Sequence, residues 1–433
     1  MSAVSPAAVR RAPISVRWPR TSGLMAHQAF LRLWAAQSVS LLGSEITLIA
    51  LPLTAALVLG AGPAHMGLLA AAAKAPFLLF GLLAGVWVDR LACRSVLVAA
   101  DIGRAALLGS VPLAAAFGSL RIEHLYVVAF LTGILSVFFD VAYQSYLPAL
   151  VARDQLAEGN ARLEAGGSMA ELVGPLLATG LLHLAAAPFA IVADALSFIL
   201  SGLCVRSIPS GGEAVSRPAR GSVLSEVGEG IGLVLGHPLL RPIAACSATM
   251  NLFFQMLTAV YVLYVTQHLN LPPALIGVVL GAGSLAALVG ALVAARAASR
   301  FGIGHTLMAA TALTGVGGLL LALVHDLSVL TLPALIGCQM LLVLGAPVYN
   351  INQISLRQAI TPAALRGRVN ATNRCLVWGT MPVGSLLGGY LGEAIGLQAT
   401  IAIAAIGLLL AMGWIGFSPV RRLTAESIHA IGV

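Results

Sequence analysis

Runs of mostly apolar residues, each long enough to cross the hydrocarbon of a bilayer as a helix, alternate along this chain with short polar connections. They cover about 29–58, 64–88, 94–117, 124–149, 160–183, 187–205, 240–267, 273–297, 304–324, 328–352, 370–394 and 398–418. Gly and Pro recur inside them, as expected where helices pack closely in lipid and neighbours satisfy interrupted backbone bonds. The pattern predicts an all-α membrane protein with twelve transmembrane helices.

A polar break divides the series. Residues 206–221 are rich in Gly, Pro and Ser, a linker composition. Beyond it Leu224, Val227, Ile231, Leu235 and Leu239 recur at helical spacing, which predicts an amphipathic helix on the inner membrane surface. The two sides read as copies: Leu31-Arg32 and Leu240-Arg241 precede the first and seventh runs, and Asn160-Ala161 and Asn370-Ala371 open the fifth and eleventh, at offsets of 209 and 210. A duplicated six-helix unit follows, giving two pseudo-symmetric bundles around a central site. The expected division is a cytoplasmic tail at 1–27, bundles at 28–205 and 240–420, a linker at 206–239 and a second tail at 421–433.

Composition agrees: 59% of the 433 residues are hydrophobic and 9% charged, against about 25% charged in soluble domains. The net charge of +8 does not point to nucleic acid, because of where the charges lie. Of 24 Lys and Arg, Arg121 falls in an outward connection, Lys74 and Arg104 lie within helices, and the rest cluster in or near alternate connections and the tails. That places both termini in the cytoplasm of a multi-pass protein of the cell's inner membrane. The Arg-containing first 25 residues lack the apolar core and cleavage site of a signal peptide. Five dispersed cysteines indicate neither disulfides nor a metal site. The sequence has no G-x-S-x-G, H-E-x-x-H or Walker pattern, so an enzyme is not expected, nor a cofactor, and energy must come from an ion gradient or the substrate's own.

Within the first 205 residues the apolar runs nevertheless contain Glu45, Lys74, Asp101, Arg104, Asp140, Glu164, Glu171 and Asp194. Each costs about 2.5–3.5 kcal/mol at a helix centre, so pairing or an ion pathway is implied. At about 1.5 Å per residue, Glu45 and Lys74 lie roughly 22 Å from the cytoplasmic ends, and Arg104 and Asp140 roughly 15 Å, so two charge pairs are geometrically open. Glu45, near the midplane, is the leading proton-coupling candidate, followed by Asp140, with Glu171 and Asp194 also in the set. Asp140 sits among Phe138, Phe139, Tyr143 and Tyr146.

Gly85-Val86-Trp87-Val88-Asp89-Arg90-Leu91-Ala92-Cys93-Arg94 resembles the signature G-x-x-x-D-R-x-G-R-R, with Ala92 and Cys93 departing from it. Gly166 through Pro175, with Gly180, resembles a helix-five element of exporters, and Leu365-Arg366-Gly367-Arg368-Val369-Asn370-Ala371 is similar to their segment before helix eleven. Over about residues 28–420 the chain thus resembles the major facilitator superfamily, in the drug-exporting branch with macrolide and siderophore (enterobactin-type) exporters. The resemblance implies alternating access, a gating loop of Gly85, Asp89, Arg90 and Arg94 with Arg104, and an exporter element of Gly167, Gly174, Pro175 and Gly180. It also makes helices one and seven cavity-lining.

Asn251, Gln255, Thr258 and Tyr261 define a polar stripe on helix seven. Gln339, Asn350, Asn352 and Gln353 on helix ten, Asn373 and Trp378 on helix eleven, and Phe138 and Tyr143 complete the substrate-cavity candidates. A mostly apolar cavity with few polar groups suits amphiphilic organic compounds, and the C-terminal half is expected to hold no deep Arg or Lys for an anion. The expected function is proton-coupled antiport that exports small hydrophobic or amphiphilic compounds. The partners are a small-molecule substrate, protons and the lipid bilayer, and the chain is expected to be a monomer. An uptake symporter of a small metabolite and a non-transporting sensor or scramblase on the same fold are the alternatives left open.

Overall fold

The computed structural model describes residues 24, 27–88, 91–151, 155–209, 231–325, 330–362 and 365–423. Among these residues the chain is helical throughout, with no strand. The helices are α1 (Gln28–Leu53), α2 (Pro63–Val88), α3 (Cys93–Ala116), α4 (Ile122–Leu150), α5 (Leu156–Leu184), α6 (Ala187–Arg206), α7 (Leu240–Leu263), α8 (Pro273–Phe301), α9 (Ile303–Leu323), α10 (Thr331–Ile360), α11 (Arg366–Trp378), α12 (Thr380–Ile395) and α13 (Leu397–Gly416). Eleven helical spans among the described residues are long and apolar enough to cross a membrane.

The predicted eleventh run is not one continuous helix. It begins earlier, at Arg366, and breaks at Gly379 into α11 and α12. The cause is local: Pro382 has no amide hydrogen, and a proline ring crowds the carbonyl one turn earlier, so the chain re-enters its helix after a glycine. Leu224 and Val227 of the expected surface helix lie outside the described residues. Residues 231–236 are helical, and there Val234 is the buried position, packed with Leu240, Ala244 and Val369.

The helices pack twice in one pattern. In the first set α1 lies against α5 and α6, α2 against α4, and α3 against α4 and α6; in the second, α7 lies against α12 and α13, α8 against α10, and α9 against α10 and α13. The repetition extends to backbone detail. Both α1 and α7 end in a five-residue π turn, Thr54–Val58 and Tyr264–His268, 210 residues apart. Leu59 N–H donates to the Thr54 carbonyl as Leu269 N–H does to that of Tyr264. Left-handed residues follow at Gly60 (φ 61°) and Asn270 (φ 52°), and α2 and α8 each start on a proline, suited to the first turn where an amide hydrogen has no partner.

The two sets meet on α2 with α12 and on α5 with α8. Both contacts exclude side-chain bulk. A β-carbon on Gly67 would lie 2.6 Å from the Gly389 α-carbon, and one on Gly277 would collide with Thr179. Gly67 lies near the start of α2 and Gly389 near the end of α12, so this seam is at the end of the molecule away from the start of α1.

Candidate functional site

A cavity of about 300 Å³ lies between the two sets, beyond the glycine seam. Its walls are Phe77, Leu78 and Gly81 of α2, Val137, Asp140 and Val141 of α4, and Asn370, Arg374, Cys375, Trp378 and Gly379 around α11. The α4 residues fall at spacings of three and four, so one helical face supplies them. Trp378 closes one side: its ring meets Phe77 edge-on at 5.4 Å, and the Arg374 guanidinium lies over it at 4.2 Å from the centroid. Leu78 packs against Gly379, so the break between α11 and α12 forms part of the wall.

Asp140 and Trp378 were anticipated from the sequence. Arg374, an exposed residue of α11, was not. Phe138 is one position off the α4 face that lines the cavity and packs against Trp87, 6.0 Å away, instead. Tyr143 stacks on Phe139, with its hydroxyl buried and unpartnered.

Three further acids of the first set are linked to one another, and through Tyr143 to Asp140, by electrostatic interaction. Glu45 on α1 interacts electrostatically with Glu171 on α5 and with Lys74 on α2. Glu171 interacts in turn with Glu164, and the Tyr143 phenol with both Glu164 and Asp140. No ion pair within 4.0 Å joins Glu45 to Lys74, so the first predicted pair is only a longer-range interaction. Gly174 leaves the space that Glu45 occupies: a β-carbon there would come within 2.3 Å of the Glu45 β-carbon. Pro175, next in the chain, leaves its carbonyl to accept from Thr179 Oγ1 at 2.8 Å, at the contact with Gly277. Gly167 faces Leu41, and Gly180 meets nothing within 4 Å.

The second predicted pair is likewise only a longer-range interaction between Arg104 and Asp140, because the close partner of Arg104 is another acid. Arg104 binds Asp101 on its own helix, Nη2 to Oδ1 at 2.5 Å, and not Asp140. Positions three apart on one helix are direct neighbours, which decides the choice of partner. Asp101 also accepts from Ser201 Oγ at 2.7 Å, and the guanidinium lies between Phe139 and Phe198, at 4.3 and 4.1 Å from their centroids. Both ions are buried, and the cluster ties α3 to α4 and α6.

Asp194 is buried on α6, accepts from Ser197 Oγ at 3.1 Å and faces Gly43 of α1. At the gating loop, Gly85 falls in the last turn of α2, while Asp89 and Arg90 lie outside the described residues. Arg94 donates to the carbonyl of Arg206, and Arg32 to that of Ser207, so two cations cap the C-terminus of α6, where the helix dipole is negative.

In the second set Asn251 donates to the Ser247 carbonyl and Gln255 accepts from Thr258, while Tyr261 and Gln339 are buried with the Tyr261 hydroxyl and Gln339 Oε1 unpartnered. Asn352 bonds the carbonyls of Ala294 and Val348, and Gln353 accepts from Arg357. Asn350 is exposed and Asn373 buried, and neither lines the cavity. No group of three or more His, Cys, Asp or Glu among the described residues has metal-site geometry.

A helical bundle with charged residues facing a cavity between two repeated sets defines a multi-pass membrane transporter, not an enzyme. The model of the transmembrane secretion effector family matches residues 21–431, and the chain belongs to that family, in the drug-exporting branch of the major facilitator superfamily. It is 29% identical over 384 residues to the multidrug efflux pump Tap of Mycolicibacterium fortuitum, covering 85% of this chain and 90% of that one. Macrolide efflux protein A of Streptococcus pyogenes is 23% identical over 378 residues, covering 85% and 90%. A bacterial homologue of the iron transporter ferroportin, 17% identical, superposes on 89% of this chain in both states. Its inward-facing structure gives a TM-score of 0.71 over 97% of that chain, and its outward-facing structure 0.57 over 98%.

Proposed function

We propose that the chain is a proton-coupled antiporter that exports small hydrophobic or amphiphilic compounds. Residues 28–205 and 240–420 act as two six-helix bundles rocking about the cavity, with α11 and α12 together making the eleventh of twelve crossings and α13 the last. The observation that carries the reading is the cavity between the sets with Asp140 on its wall, and the electrostatic coupling of Glu45, Glu171, Glu164 and Tyr143 supports a proton route toward it. Acids coupled to a substrate cavity are what exchange of protons for substrate requires. The multidrug and macrolide efflux activities in the relatives' names support outward transport of organic compounds.

With both termini in the cytoplasm of the inner membrane, the glycine seam is the outer end, and the cavity opens inward to collect substrate. The better overlap with the inward-facing ferroportin homologue supports that state. Glu45 carries the proton, Asp89 and Arg90 contribute to the inner latch, and the monomer suffices. Accumulation of a compound panel in cells lacking their own pumps, with and without a protonophore, tests the reading. Expression should lower accumulation and the protonophore should restore it; raised accumulation on expression, or loss of the compound by chemical change, would overturn it.

A further inference from the structure

Asp140 and Arg374 face one cavity from opposite sets without meeting. Among the described residues neither forms a hydrogen bond or an ion pair, so their charged atoms are more than 4.0 Å apart; Asp140 interacts electrostatically with Arg104 first and with Arg374 second. The Arg374 guanidinium lies over the face of Trp378, and Phe77 meets that ring at its edge. An acid and a base held apart, with an aromatic wall beside them, form two half-sites for opposite charges.

We propose that this cavity binds zwitterionic amphiphiles: the ligand's cation meets Asp140, its anion meets Arg374, and its apolar body lies along Phe77 and Trp378. A single cation would leave Arg374 repelling it, and a single anion would leave Asp140 doing so, whereas a zwitterion satisfies both. The inference rests on the reading of this cavity as the substrate site and adds the substrate's charge class. Because the two half-sites sit on different helix sets, rocking pulls them apart and lowers affinity on the releasing side.

Three matched dyes test it on the purified full-length protein in detergent: Nε-dansyl-lysine (zwitterion), dansylcadaverine (cation) and 6-(dansylamino)hexanoate (anion), followed by energy transfer from tryptophan. Nε-dansyl-lysine should bind wild type about tenfold more tightly than either relative. Arg374→Gln should erase that advantage over dansylcadaverine, and Asp140→Asn that over the hexanoate. Equal binding of the three dyes by wild type overturns the proposal without recourse to any variant, as does a uniform loss for all three in both variants when gel filtration shows them folded. No gradient enters the measurement, so a protein that binds with this preference but exports nothing would refute only the export reading. Export with no charge preference would refute only this one.

Discussion

Gly174 of α5 and Glu45 of α1 occupy one another's space: the helices are close enough that a methyl group at 174 would overlap the Glu45 side chain at 2.3 Å. Gly174→Ala should therefore cost about 1–3 kcal/mol in overpacking or push Glu45 off its position. Export should fall at least tenfold while Gly180→Ala, with nothing within 4 Å, stays near wild type. Transport assays on the two variants side by side check this; equal effects would detach the exporter element from Glu45.

Glu45→Gln keeps size and hydrogen bonding but fixes the neutral state. Substrate binding and counterflow exchange should survive while gradient-driven export fails. Recovery of export in Glu45→Gln with Lys74→Met would show Glu45 to be Lys74's structural counterion instead, because the absence of a close ion pair predicts no such rescue.

Asp101→Asn strands the buried Arg104 charge and should destabilise the protein by about 3–5 kcal/mol, as removal of one member of a buried pair does. Asp101→Leu with Arg104→Met should regain most of the loss, since an apolar pair of similar volume needs no desolvated partner. Thermal melting of the detergent-solubilised protein reads both, and a double variant as unstable as the single one would assign the cost to packing.

Gly67→Leu should prevent α2 from seating against Gly389 and hold apart the end proposed to face outward. A cysteine introduced at Gly62 should then react faster with a membrane-impermeant thiol reagent applied outside intact cells than the same cysteine in an otherwise wild-type chain. Unchanged labelling would remove the seam from the gating motion.

The helical spans, the duplication and the acids were legible because each is a one-dimensional signal: an apolar run, a repeated dipeptide, a charge inside an apolar stretch. Partner choice was not. Depth along parallel helices placed Arg104 level with Asp140, but a neighbour on its own helix needs no tertiary contact, and Asp101 was there. Arg374 was hidden because, only four residues into the run predicted from 370, it read as a charge at the membrane surface; the start of α11 at Arg366 puts it two turns inside its helix. Phe138 was placed by its neighbourhood in sequence, whereas the 100° turn per residue puts it beside, not on, the lining face of Val137, Asp140 and Val141.

The paired π turns bear on ancestry. A π turn accommodates one residue more than an α turn, and such turns are rare, so two independent insertions at the same place, each followed by a left-handed residue and a proline, would be a large coincidence. A single event in a shared precursor of the two helix sets accounts for both.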